Sequence, residues 1–416
     1  MRQPIPSARD LRLANRSTLL RALYFGGPAS RLELSQGTGL STATVTNVIA
    51  ELLAEGSVSE AGTEESQGGR PRTILTIEAE HGYFVGVDVG ETHVYVELFD
   101  LLMRTRGAIT YTLDAGGHRP EAVVHHIVTG LQTVLDNAGL GQEAVVGIGI
   151  GVPGIVERTA QVLVHAASIG WRAVPLTAML QEHISLPLFV DNGAKAMAQA
   201  EMWFGAGKGV QHLAVVLVGT GIGAGIIANG SLYRGATNSA GEWGHTTLEL
   251  DGRACRCGSR GCLEAYAGAS AILERLRDAA PDHPILAIDD EERAVAALVA
   301  AHQAGDAIAR DVLAQTARYL GAGIGTLINL FNPQLIVLGG WVGMQIGPVI
   351  LPELRTVVAR YALQEPLAAT RIDMCQLGQD AVTQGAATLV LDRFLAAAGR
   401  SVARSARPTH SRAFSS

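Results

Sequence analysis

Charged residues are scarce in this chain. Asp, Glu, Lys and Arg make up 17% of its 416 residues, against about 25% in an average globular domain. With 48% apolar residues and a mean hydropathy of +0.22, that scarcity excludes a mostly disordered chain, which needs high charge and little to bury. Cysteine is scarce too. Four residues are too few for the disulfide frameworks of small secreted domains. Long apolar runs are missing: the longest, Leu213 to Ile227, is broken by Gly219, Gly221, Gly223 and Gly225 and falls short of the ~20 residues of a membrane-spanning helix. The opening Met1-Arg2-Gln3-Pro4 has none of the apolar run of a secretory leader. A soluble, cytoplasmic protein with no membrane partner is expected. Lysine is limited to Lys195 and Lys208, the other thirty basic residues being arginine, a bias of codon usage and not of mechanism.

Glycine is abundant. Its 49 residues are about 12% of the chain, where roughly 7% is usual, which points to tight turns and close backbone approaches of the kind found at phosphate and sugar sites. The length suggests two or three domains. A net charge of −7 excludes polyanion binding by bulk electrostatics. Residues 1–32, however, carry Arg2, Arg9, Arg12, Arg16, Arg21 and Arg31 against Asp10 alone. Such a local basic footprint suits a nucleic-acid contact or an ordinary solvated face.

The first 80 residues read as a DNA-binding module. Asn15 to Phe25 has helical apolar spacing and stops at Gly26-Gly27-Pro28. Arg31 to Gln36 is a second short helix, with Leu32 and Leu34 as core positions. After the turn Gly37-Thr38-Gly39-Leu40, Ser41 is an N-cap for a third helix reaching about Glu55. Helix, glycine turn, helix is the helix-turn-helix pattern, whose second helix offers N-terminal residues to base edges. Ser41, Thr42, Thr44, Thr46 and Asn47 occupy that start. A hairpin follows, from Gly56 to Ile77, with Arg70 and Arg72 placed as wing contacts to phosphates or a minor groove. A generic three-helix cap with a hairpin has the same outline, and the third helix carries no Lys or Arg.

From Tyr83 the chain alternates between α and β character. Strands are expected at Tyr83 to Val89, His93 to Phe99, Val145 to Ile150, Leu188 to Asp191, Leu213 to Val218, Gly223 to Ala228 and Leu335 to Leu338, with helices at Pro120 to Gly139, after Asp191 to Phe204, and at Ala309 to Leu330. This is an α/β body with ligand loops at strand ends. Two loops resemble phosphate cradles: Asp88, Gly90 and Thr92 in the first, Gly219, Thr220, Gly221 and Gly223 in the second. Glycines let backbone N–H groups approach phosphate oxygens, and threonine adds a donor. His245, Cys255, Cys257 and Cys262 make a Cys₃His set suited to tetrahedral zinc, closed and therefore structural.

GEWGH from Gly241, CRCGSRGCLE from Cys255, DVGET from Asp88, GVPG from Gly151 and VGTGIGAG from Val218 together resemble the ROK family of repressors, open reading frames and sugar kinases, over about Asn15 to Leu395. The resemblance implies a winged helix-turn-helix (residues 1–80) followed by a two-lobed, actin-like sugar-kinase (ribonuclease H-like) body (81–398). Residues 399–416 form a basic tail expected to be disordered. It implies a sugar held in the cleft by Gly154, Asn192, Glu242, His245 and Glu264, with zinc ordering the loop. It also exposes departures. Gly193 stands where the kinase pattern has its catalytic Asp, and Lys195 replaces an Asn two positions on. Glu91 and His93 replace a Gly and a Lys of the first phosphate loop, and Ser168 an Asn of the sugar loop. Loss of a general base typically costs about 10²–10⁴ in rate.

The expectation is a sugar-responsive transcription regulator with no catalytic residue, a repressor binding double-stranded operator DNA as a homodimer or tetramer, with a small-molecule sugar as effector. An ATP-dependent, glucokinase-like sugar kinase, bifunctional or not, is the alternative. A passive sugar-binding scaffold is the third.

Overall fold

The structure is a computed structural model that describes residues 7–64, 71–113, 117–159 and 161–400. Ser7 caps helix α1 (Ala8–Gly26): its hydroxyl accepts from Asp10 N at 3.2 Å, and the Asp10 carboxylate accepts from Ser7 N at 2.9 Å. This box starts the helix two turns ahead of Asn15. Those turns are solvent-exposed, so apolar spacing carries no signal there. The same device, Ser30 with Glu33, starts α2 (Arg31–Thr38). Of the two leucines expected in its core, Leu34 is buried and Leu32 is 40% exposed. Ser41 caps α3 (Thr42–Ala54) as expected. Strands β1 (Ala29–Ser30), β2 (Val58–Glu64) and β3 (Arg72–Ile77) form a sheet in the order β1-β3-β2, with Leu75 and Ile77 turned inward. Three helices and a hairpin are the arrangement of a winged helix-turn-helix.

The body holds two large sheets of one topology. In the first lobe β4 (Tyr83–Val89), β5 (His93–Asp100) and β6 (Thr105–Thr112) form an antiparallel meander. β7 (Val145–Val152) and β11 (Leu188–Asn192) extend it in parallel beyond β4. A small sheet of β8 (Ile155–Arg158), β9 (Val162–Ala166) and β10 (Trp171–Val174) lies between them in sequence. In the second lobe β12 (Leu213–Val218), β13 (Ile222–Ala228) and β14 (Ser231–Leu232) form the meander, and β15 (Leu335–Gly339) and β16 (Arg371–Met374) the parallel extension. The repeated order is the expected two-lobed, actin-like architecture. Helices α4 (Pro120–Ala138) and α5 (Leu176–Gln181) cover one face of the first sheet. Helix α6 (Gly193–Phe204) begins where β11 ends. In the second lobe α7 (Glu264–Ala267), α8 (Ala269–Ala279), α9 (Glu291–Gln303), α10 (Ala307–Phe331) and α11 (Gly340–Tyr361) pack on the sheet, and the short α12 (Gln364–Ala368) follows. Helix α13 (Ala381–Ala396) ends the body. Among the described residues no helix is long and apolar enough to cross a membrane.

Helix α13 holds the parts together. An ideal Cβ at Gly149 of β7 would lie 1.8 Å from the Ala386 carbonyl oxygen, and one at Gly86 of β4 2.1 Å from that of Thr383. Only residues without a side chain let the helix backbone rest on these strands. Its far end packs into one apolar core with the N-terminal module: Leu391, Phe394 and Leu395 join Leu19, Leu23, Val45, Ile49 and Leu75. Arg16, 1% exposed, closes this joint. A buried charge is costly unless fully paired. Arg16 donates to Glu51 at 3.3 Å, to Glu55 at 2.9 Å and to the Ala398 carbonyl at 3.1 Å. Of the expected tail, residues 401–416 lie outside the described residues, whereas Gly399 N donates to Phe394 O.

Gly149→Ala is expected to cost about 3 kcal/mol in denaturant unfolding, as overpacking does. Gly107→Ala, whose added Cβ would meet nothing nearer than 3.7 Å, should change stability by under about 0.5 kcal/mol.

Candidate functional site

The two lobes face each other across a cleft of about 460 Å³, within the range of small-molecule sites. Gly154, Asn192, Glu242, His245 and Glu264 all line it, and so do Asp88, Gly90, Thr92, Gly219, Thr220, Gly221 and Gly223. Residues spread over nearly 180 positions of sequence therefore meet in one cavity.

Asn192 is the N-cap of α6. Its Oδ1 accepts from Ala194 N at 3.0 Å and Lys195 N at 3.2 Å, while its Nδ2 donates to the Gly154 carbonyl at 2.8 Å. One amide thus ties the helix to the GVPG turn and keeps one N–H proton free. Gly154 has φ +74°, and a Cβ there would lie 2.2 Å from His165 O. Gly193, the first residue of α6, has room for a side chain: an added Cβ would sit 3.4 Å from Val382 Cγ1. Asp191 is fully buried and spent on other partners. It pairs with Arg234 and Arg158 and accepts from Asn238 Nδ2. Glu264 accepts from Ile222 N at 2.9 Å, which pins it to the glycine turn. Burial pushes the Glu242 carboxyl above its ordinary range; Lys195 and His245 oppose that rise and Glu264 adds to it.

The ligand atoms of His245, Cys255, Cys257 and Cys262 lie within 4.8 Å of one another. Cys257 Sγ and Cys262 Sγ are 3.8 Å apart, and Cys255 Sγ is 3.7 Å from His245 Nδ1. With thiolates at about 2.3 Å from a tetrahedral ion, the sulfur–sulfur edge is about 3.8 Å and the sulfur–nitrogen edge about 3.5 Å. The cluster thus has the donors and the spacing to coordinate one metal ion. Nδ1 faces the thiols, leaving Nε2 for the cleft that His245 lines.

Sequence reasoning missed several cleft residues. Thr220 Oγ1 donates to Glu291 at 2.9 Å; Glu291 opens α9 and its neighbour Glu292 lines the cleft, and sequence reasoning assigned neither a role. Trp341 Nε1 lies 3.1 Å from where a Gly219 Cβ would be. Its position directly after Gly339-Gly340, at a strand end, was the available signal. The His93 ring covers Gly90, where an added Cβ would meet ring atoms at 3.0–3.2 Å; its Nδ1 is 3.2 Å from Thr92 Oγ1 and its Nε2 3.6 Å from Asp88. Burial lowers the affinity of His93 for a proton, but Asp88 outweighs it and holds the imidazole above its ordinary range. Arg256, between two candidate metal ligands, bonds Glu91 across the cleft.

In the N-terminal module Ser41, Thr42, Thr46 and Asn47 are exposed on the first turns of α3. Thr44 is half-buried and spends its hydroxyl on Ser41 at 2.9 Å. Arg72 is exposed opposite Glu64, at the end of the hairpin where β2 passes to β3; Arg70 lies outside the described residues.

The family model of the ROK family matches residues 84–393. The chain belongs to the ROK family. It is 32% identical over 392 residues to the xylose repressor of Bacillus subtilis, covering 92% of this chain and 96% of that one. It is 34% identical over 317 residues to the glucokinase of Halalkalibacterium halodurans, covering 74% of this chain and 94% of the other. A crystal structure of a ROK family transcriptional regulator, a homolog of the E. coli MLC protein, matches 94% of this chain and 98% of its own with a TM-score of 0.78 at 25% identity. The ROK fold is therefore shared with both repressors and kinases.

The two duties of Asn192 in this ROK cleft separate by mutation. Asn192→Ala is expected to lower stability by about 2 kcal/mol, an N-cap loss of about 1 plus an unpaired carbonyl of similar cost. Asn192→Asp keeps the cap and should recover about half in the same denaturant titration.

Proposed function

We propose that this protein is a sugar-responsive, DNA-binding transcription regulator, a repressor of carbohydrate-use genes. The observation that carries the reading is the continuity of α13. Asp380 and Val382 at its start line the cleft, and its far end shares a buried core with the winged helix. Helix α6 runs the same way: it starts at Asn192 in the cleft, and Trp203 and Phe204 at its end meet Phe25 and Tyr24 of α1 at 5.1 and 6.4 Å. A ligand that favours one lobe arrangement therefore acts on the orientation of α3, by as much as its affinities for the two arrangements differ. The coverage of the relatives supports this reading, since the repressor aligns with the N-terminal module and the glucokinase match is shorter.

The cleft reads as a sugar site because carboxylates and an amide converge there, and a carboxylate accepts from two hydroxyls at once. Gly193 at the position of the family's catalytic Asp supports binding without phosphoryl transfer, and Asp191 is locked in ion pairs. Zinc is the ion we assign to the Cys₃His cluster. It orders the loop carrying Glu264 and leaves the substrate untouched. A homodimer presents two α3 helices to half-sites about one helical turn, or a multiple, apart.

The test is fluorescence anisotropy on DNA from upstream of its own and neighbouring genes at fixed salt, with a sugar panel headed by D-xylose. One sugar should weaken salt-sensitive binding by about tenfold or more, a coupling of about 1.4 kcal/mol. Binding indifferent to every sugar would overturn the sensor. The kinase reading, favoured by the glucokinase relative, predicts sugar-stimulated ADP release of several per second by the native protein, whereas we expect none above background.

Metal content is a separate check. One zinc per chain is expected by elemental analysis, and Cys262→Ser should lose both the metal and at least about tenfold in sugar affinity. Specific DNA binding should survive.

A further inference from the structure

In the second lobe the turn Gly219–Gly223 has the outline of a phosphate cradle, yet side chains of this chain already stand over it. Gly221 lies beneath two carboxylates: a Cβ there would be 3.1 Å from Glu264 Oε2 and 3.4 Å from Glu91 Oε1. Glu91 belongs to the other lobe, in the turn between β4 and β5. Its backbone carbonyl accepts from His118 Nε2, and the His118 carbonyl accepts from Trp171 Nε1 at 2.5 Å, so Glu91 is anchored to the first lobe. Its carboxylate meets Arg256 in bidentate fashion at 2.6 and 3.3 Å. Arg256 also reaches the Thr220 carbonyl at 3.2 Å and Glu264 Oε1 at 3.5 Å. Bidentate guanidinium–carboxylate pairing has the same planar, two-oxygen geometry as guanidinium–phosphate pairing.

We propose that Glu91 is a built-in anion for the phosphate cradle: paired with Arg256, it excludes nucleotide phosphates and latches the two lobes, so that the cleft closes around its sugar without nucleotide. Two consequences follow from charge alone. A phosphate brought to Gly221 meets the Glu91 carboxylate, and like charges at that distance repel. Removing Glu91 leaves the Arg256 guanidinium and the glycine turn free for an anion. Because Glu264 is a candidate sugar ligand and shares Arg256, the latch also sets how much of the population presents a finished sugar site, and apparent affinity scales with that fraction. This last consequence rests on the sugar reading above; the two from charge do not.

The experiment titrates AMP-PNP with Mg²⁺ and, separately, D-xylose into the native protein, Glu91→Gly, Glu91→Gln and Arg256→Ala, by calorimetry. The native protein should bind no AMP-PNP at millimolar concentration. Glu91→Gly should gain at least about tenfold in nucleotide affinity, and Glu91→Gln should move the same way by less. Arg256→Ala keeps the carboxylate and should gain nothing. All three should bind sugar several-fold more weakly, and saturating AMP-PNP should restore the sugar affinity of Glu91→Gly alone. The proposal is overturned if Glu91→Gly and Glu91→Gln, both folded by circular dichroism, bind AMP-PNP no better than the native protein. Native binding as tight as that of Glu91→Gly overturns it equally. Failure of the sugar reading shows separately, as a native protein that binds no sugar while the nucleotide arm still reports on the cradle.

Discussion

The contact on which the rest of the molecule depends is the seating of α13 on glycine. The helix is close enough to the first sheet for Cβ atoms at Gly86 and Gly149 to be excluded by its carbonyl oxygens. It is equally close to α6, where a Cβ at Gly385 would lie 2.1 Å from Ala196 O. Backbone against backbone leaves no compliant side chain to absorb a small shift. Packed interiors of this kind respond by moving as a unit. The same helix lines the cleft at one end and packs on the N-terminal module at the other. On the function proposed above, it is the rigid element through which a displacement of the lobes would reach α3.

Arg16 shows why the module is not a loosely tethered bead. An interior guanidinium needs every donor occupied, and its partners come from α3 and from the chain just beyond α13. Moving the module away from the body would leave Arg16 short of a partner in a dry setting. The apolar contacts around it, Phe394 and Leu395 against Leu20 and Leu23, add a term that grows with buried area. The seated joint is therefore costly to loosen by degrees, because apolar area and ion pairs would be lost together.

Much of this was legible in the sequence, and the reasons are specific. The buried strands β4, β7, β12 and β15 are almost wholly apolar runs and stand out. The cap Ser41 is visible because its residue type announces it, whereas Asn192, read only as a candidate sugar ligand, is also a cap. The Cys₃His cluster is visible because its spacing is local. What stayed hidden was polar or short. Strand β6 alternates exposed and half-buried positions at a sheet edge, and β8 to β10 are four- or five-residue strands with no period to read. The first turns of α1 bury nothing. Glu291 on Thr220 and Arg256 on Glu91 are contacts between residues 71 and 165 positions apart. No local pattern encodes such pairs: the fold of the second lobe brings Glu291 to Thr220, and the approach of the two lobes brings Arg256 to Glu91.

Three of the positions at which the resemblance to the kinase pattern breaks meet once the lobes are placed. Glu91, His93 and Gly193 are scattered in sequence, yet all three face the same cavity. His93 covers Gly90 in the first loop, Glu91 covers Gly221 in the second, and Gly193 withholds a side chain from the start of α6. An enzyme must keep its phosphate loops open and its base in place, because both act on the transition state. A sensor needs only that the sugar distinguish two lobe arrangements, and filling the phosphate loops with its own charges removes a competing ligand from that equilibrium. On the function proposed above, Glu91 and His93 then stand where the phosphates of a nucleotide would otherwise compete, and the cleft answers to its sugar alone.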